Sequence, residues 1–161
     1  MPNFLPAPLH RALLPLAHIA RHFWRRWRKT PIAGVSVIVT NLTGDVLLLK
    51  HSYGPNVWGL PGGGLGQGED PLKAAQREVL EELGLRLPRI ALVGTLEEVL
   101  SGSPHTAHVF AAMCDRRPKP DHREVIEARF FPPHSLPEPL GHTTRARIAL
   151  WKARGLDLRK A

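Results

Sequence analysis

The chain of 161 residues has one cysteine, one tyrosine and two methionines, and only 6% of its residues are aromatic. The lone Cys114 excludes an intramolecular disulfide and fits a reducing, cytoplasmic setting. It lies in an apolar run, which predicts that it is buried. No apolar run is long enough to span a bilayer. Arg11 and His18 interrupt the hydrophobic stretch near the start, which argues against a transmembrane helix and against a conventional secretory signal. Acidic residues are missing altogether from positions 1 to 31.

That last absence explains the formal net charge of +8. Arg11, Arg21, Arg25, Arg26, Arg28 and Lys29 stand in the acid-free segment, leaving 16 basic against 14 acidic residues in the remainder. The body of the protein is therefore nearly neutral, and specific nucleic-acid binding is not expected of it. Residues 1–8, with three prolines, form a loose arm. Leu9, Leu13, Leu16, Ala20, Phe23, Trp24 and Trp27 then recur at helical spacing opposite Arg11, His18, Arg21, His22, Arg25 and Lys29, the pattern of a basic amphipathic helix. Three readings stand for residues 9–29: a helix docked on the fold or on a second subunit of a homodimer, a peripheral membrane contact, or an organelle transit peptide. The chain divides accordingly into this N-terminal segment, 1–31, and one domain, 32–161, long enough for a single core with 43% hydrophobic residues overall.

From Ile32 the apolar period shifts to two. Val35, Val37 and Val39 alternate with Ser36, Ile38 and Thr40, and a second β-rich run, Val46 to Leu49, follows Asn41-Leu42-Thr43-Gly44-Asp45, which predicts a β-hairpin. Residues 90–100, 106–114 and 125–131 read as further strands and 143–153 as a closing helix. Tyr53 and Trp58 are read as core packing ahead of a pocket wall. His105 and His108, three apart on a strand, point to opposite faces and are taken as incidental. Arg116, Arg117 and Lys119, among prolines, read as a solvated loop.

The stretch that carries chemistry is a run of glycines at 62, 63, 64, 66 and 68 leading straight into a helix. Asp70 is suited to the N-cap, Pro71 to the first helical position and Gly84 to the residue just past the end. Leu72, Ala75, Val79 and Leu83 make an apolar stripe. Glu78, Glu81 and Glu82, at i, i+3 and i+4, crowd carboxylates beside it. Like charges so close call for compensation, and a hard divalent cation that takes carboxylate and carbonyl oxygens supplies it.

The joint spacing is specific. Gly63, five residues, Glu69, seven residues, Arg77-Glu78-Val79, one residue, Glu81-Glu82, one residue, Gly84-Leu85 resembles the Nudix box with every fixed position filled. The resemblance to the Nudix hydrolase family implies an α+β fold, an α/β/α sandwich with a mixed β-sheet. It also implies metal-dependent hydrolysis of a diphosphate linked to another moiety, with Mg2+ or Mn2+ as cofactor. Carried over by motif position, Glu78, Glu81, Glu82 and the Gly62 carbonyl are metal ligands, and Glu81 and Glu82 are catalytic. Gly63, Glu69, Arg77 and Gly84 are structural, with Glu69 and Arg77 as an ion pair tying loop to helix. Glu124, just before the last strand, is the candidate general base or extra ligand. Gly66 departs from the family pattern, since many members carry a glutamate there.

The partner so implied is a small nucleotide diphosphate derivative. The proline that ADP-ribose types tend to carry beyond the box has Leu100 and Ser101 in its place, and the tyrosine of dinucleoside-polyphosphate types is missing there, Tyr53 lying upstream. A nucleoside triphosphate or a nucleotide sugar remains as the substrate class. The rival reading is a nucleotide- or lipid-binding module without turnover, and the intact set of box carboxylates argues against it.

Overall fold

The structure, a computed structural model, describes residues 32–100, 102–156 and 158. The N-terminal arm and the basic helix expected over 9–29 lie outside the described residues.

Six strands and two helices follow in the order β1 (Ile32–Thr40), β2 (Val46–His51), β3 (Gly62–Gly64), α1 (Pro71–Leu83), β4 (Ala91–Leu100), β5 (Ser103–Met113), β6 (Val125–Phe131) and α2 (His142–Arg154). The strands form one sheet in the order β4-β5-β1-β2-β6, with β3 paired to β1. The β1–β5 pairing is parallel and the others are antiparallel, so the sheet is mixed, as expected.

Alternation along β1 sends side chains to both faces, and both faces are covered. Val35, Val37 and Val39 join Leu47, Leu49, Phe110 and the Ala74, Ala75, Val79 and Leu83 stripe of α1 in one core. Ile38, Val46, Leu48, Val109 and Ala111 join Trp58, Leu140 and Ile148 of α2 in a second. Helix, sheet, helix is the sandwich the resemblance implies. Cys114 is buried in the first core. The apolar stripe of α1 is rotated from the expected one. Ala74 and Glu82 are buried in it while Leu72 is 39% exposed.

The feature that makes the site is a split in the sheet. Strands β1 and β2 pair only beside their turn, at Thr40 and Val46. Beyond that they part, and residues 59–64 enter the gap: Gly59 bridges to Leu49, the Val37 N–H donates to the Pro61 carbonyl at 2.9 Å, and Gly62–Gly64 pair with Gly34–Ser36. Strand pairing thus holds the glycine loop in the middle of the sheet, directly ahead of α1.

Candidate active site

Helix α1 starts and stops where its local chemistry dictates. The Asp70 carboxylate accepts the Lys73 N–H at 3.0 Å, and Gly84 closes the helix in the left-handed conformation with φ 64°, its N–H donating to the Leu80 carbonyl. Arg77 and Glu69 form the expected fork, with Nε to Oε1 at 2.8 Å and NH2 to Oε2 at 3.0 Å. The Gly66 N–H donates to the same carboxylate at 2.8 Å. Arg77 also reaches Glu78 Oε1 at 2.8 Å and Glu81 Oε2 at 3.2 Å, so one guanidinium gathers three acids and pins the loop to the helix.

The guanidinium, helped by the Gly66 N–H, pulls the Glu69 carboxyl down from 4.5 to about 2. The stabilisation from this depressed group is complete above about pH 4.5 and is lost as pH falls toward about 2. Glu69→Gln is therefore expected to melt below wild type at pH 6, with the gap closing between pH 4.5 and 2. A gap that stays constant across that range, measured by thermal melts, would show that the ion pair contributes nothing.

Glu82 sits at the centre of the site. It is only 5% exposed, and its Oε2 accepts the Gly62 N–H at 3.0 Å. Burial pushes its carboxyl well above the usual range, the Gly62 N–H opposes this, and Glu78, Glu124 and Asp121 add to the rise. Glu78 is raised as well, by burial first and then against the pull of Arg77. Its carboxylate lies against Gly63, where a Cβ would come within 2.5 Å of it, so the box glycine leaves the room the carboxylate occupies.

Glu124 is brought to the same place by a device the sequence reading missed. The Asp121 carboxylate accepts the N–H groups of Arg123, Glu124 and Val125 at 2.9–3.2 Å, folding the turn before β6. The Lys119 N–H donates to the Leu83 carbonyl and the Asp121 N–H to the Glu82 carbonyl, which stitches this loop to the end of α1. An Asp two to four residues ahead of a strand was the available signal.

Glu78, Glu82 and Glu124 all line one cavity of about 440 Å³, together with Gly62, Gly63, Tyr53 and Trp58. Trp58 packs in the core and also walls the cavity, edge-on to Phe131 at 4.9 Å, while Tyr53 is a cavity wall and not core. Glu81 is placed elsewhere: its side chain is 61% exposed and turned to Arg77. Gly62 presents its N–H to Glu82. His105 is not incidental. It is buried, it hydrogen-bonds Glu98, and it lines the cavity, whereas His108 is directed to the other face.

The donor set is entirely oxygen, and no cation is paired with Glu82 among the described residues. A buried carboxylate without a counter-charge suits a hard divalent ion, so Glu82, with Glu78 beside it, fits such an ion. Among the described residues no three acidic, His or Cys side chains are gathered into a ready-made cage.

Comparison with known proteins agrees with this geometry. A family model described as NUDIX domain matches residues 30–152. A MutT NUDIX hydrolase from Burkholderia pseudomallei is 29% identical, with a TM-score of 0.69 over 75% of this chain and 98% of that one. The NUDIX domain of Shewanella oneidensis NrtR, solved with ADP ribose, shares the fold at 18% identity with a TM-score of 0.70, over 87% of this chain and 98% of that one. An RNA pyrophosphohydrolase from Rhodospirillum rubrum is 42% identical over 53 residues, 33% of this chain and 32% of that protein. The chain spans only about a third of the length of such curated relatives. The chain belongs to the NUDIX domain family, the class that its box, mixed sheet and carboxylate-lined cleft define.

Proposed function

We propose that the protein is a Nudix diphosphohydrolase that cleaves a phosphoanhydride bond in a nucleoside diphosphate linked to another moiety, of the nucleoside triphosphate or nucleotide sugar type. The observation that carries this reading is the convergence of Glu78, Glu82 and Glu124 on one nucleotide-sized cavity around a buried carboxylate. Relatives named RNA pyrophosphohydrolase support pyrophosphate hydrolysis as the reaction class.

Glu78 and Glu82, with the Gly62 carbonyl, are the groups assigned to hold Mg2+ or Mn2+. When bound, the ion supplies charge neutralisation for diphosphate oxygens and a more acidic water. The Gly62 N–H holds Glu82 through Oε2, which orients its carboxylate in the cavity. Glu124, on a loop braced by Asp121, is the candidate base that takes the proton from the attacking water. Arg77 acts at a distance, holding Glu78 and the glycine loop in position. Glu81, on the solvent side, is left as an outer carboxylate that reaches the site only by leaving Arg77.

The test is a panel of nucleoside triphosphates, nucleotide sugars and 5′-triphosphorylated RNA assayed with Mg2+ for release of phosphate, pyrophosphate or monophosphate. Turnover of at least one class is expected. Tight nucleotide binding without turnover of any would replace the enzyme with a binding module. Docking on the fold or on a second subunit, peripheral membrane contact and an organelle transit peptide are the proposals for residues 9–29. Sedimentation with anionic vesicles tests the second, because the membrane reading predicts pelleting that salt reverses.

A further inference from the structure

The cavity has a second charged wall, far from the box in sequence. Arg147, on α2, donates through NH1 to Ser36 Oγ at 2.8 Å and through NH2 to Glu98 Oε1. The same Glu98 oxygen is 2.9 Å from His105 Nδ1. Four elements, β1, β4, β5 and α2, each contribute one residue to this network, and three of the four, Ser36, His105 and Arg147, line the cavity. Glu98 does not; it stands behind them and accepts from both.

Such a network is expensive as packing. A guanidinium and a carboxylate, with side chains only 13% and 16% exposed, lose most of their hydration, and well-packed apolar residues would serve stability as well. Its placement at the cavity gives it another use. Arginine carries donors only, and two of its nitrogens are held in fixed directions by Ser36 and Glu98. Its Nε–H is buried and has no hydrogen-bond partner. A wall of oriented donors selects a ligand atom that only accepts. The carboxylate end of the cavity, at Glu78, Glu82 and Glu124, is suited to the diphosphate through its metal, which leaves the donor wall for the remainder of the substrate. Tyr53 and Trp58 add aromatic surface against which a flat heterocycle can pack.

We infer that Arg147, held by Glu98 and Ser36, reads the nucleobase of the substrate and favours a carbonyl oxygen over an exocyclic amine at the position where inosine and adenosine differ. The inference rests on the nucleotide-hydrolase reading and sharpens it: the substrate class becomes nucleotides of 6-oxopurines or 4-oxopyrimidines. An amino group in that place sets a donor against the donors of Arg147 and forgoes the hydrogen bond that a carbonyl oxygen would accept.

The test is calorimetric binding of IMP and AMP to the full chain in Mg2+, which needs no turnover. IMP is expected to bind about ten-fold more tightly than AMP. Removing Arg147 alone takes the guanidinium from a largely buried Glu98 carboxylate, so the informative variant is the pair Arg147→Met with Glu98→Met, whose fold is checked by its melting temperature. It should bind both nucleotides equally, at the level of AMP. Arg145→Met, on the same helix but exposed and paired with Glu138, should keep the preference and serves as the control. Equal affinities in the wild type would overturn the inference, as would a preference that survives in a folded double variant. Hydrolysis of nucleotides with no IMP preference sinks this inference alone. An IMP preference without hydrolysis sinks the enzyme reading alone, and neither binding nor hydrolysis sinks both.

Discussion

Glu82→Gln is expected to lower kcat roughly 100-fold or more at saturating Mg2+, equivalent to about 2.7 kcal/mol of lost transition-state stabilisation, with no loss of thermal stability in the metal-free protein. The amide has the shape of the carboxylate and keeps an oxygen to accept the Gly62 N–H, so the bond that positions the loop survives. The negative charge does not survive. In the protein without added metal that charge is disfavoured by burial and by Glu78, Glu124 and Asp121, with the Gly62 N–H opposing this. Removing it relieves repulsion and desolvation, and the melting temperature should stay level or rise. With metal the sign reverses, since the wild type gains from binding an ion that the variant holds poorly. Melting curves with and without Mg2+, run beside the kinetics, check both halves. A variant with wild-type kcat would remove Glu82 from the centre of the site.

Gly62→Ala is expected to have the largest effect on stability. Gly62 has a φ of 147°, and a Cβ there would lie 2.1 Å from the Val35 carbonyl oxygen and 2.9 Å from Ser36 Cα. All of these are backbone atoms in the paired β1–β3 segment, so no side chain can rotate out of the way. The loop must leave the split in the sheet, and with it goes the N–H that holds Glu82. A loss of about 3 kcal/mol or more is expected, which for a chain of this size lowers the melting temperature by roughly 10 °C. Gly64→Ala is the matched control, since nothing stands within 4 Å of a Cβ there and its melting temperature should be unchanged. If the two variants melt alike, the strain argument fails.

What was legible in the sequence follows from how local each signal is. The cap at Asp70, the stop at Gly84 and the Glu69–Arg77 fork involve residues within one loop and one helix, so their spacing alone implied them. Apolar, β-rich runs located β1, β2, β4, β5 and β6, and β1 and β2 are buried on both faces because the sheet is covered on both sides. Leu72 was misplaced, because the stripe that a helix buries depends on how the helix is rolled against the sheet. Here the roll buries Ala74 and Glu82 with Ala75, Val79 and Leu83 and leaves Leu72 at the surface.

His105 shows the limit more sharply. Its spacing from His108 says only that the two point to opposite faces, and nothing local marks Glu98, forty-nine positions from Arg147, as the partner that the latter shares with it. By itself the sequence determined the Nudix box, the strands other than β3, and the identity of the box acids, because the box is built from neighbours along the chain. The tertiary structure alone decided which acids face the cavity. It buries Glu82 and turns Glu81 to solvent, one residue apart, since a 100° step on a helix separates core from water. It also decided the far wall of the cavity, where Ser36, Glu98, His105 and Arg147 meet because the antiparallel β4–β5 pairing, the parallel β1–β5 pairing and the packing of α2 bring four segments together.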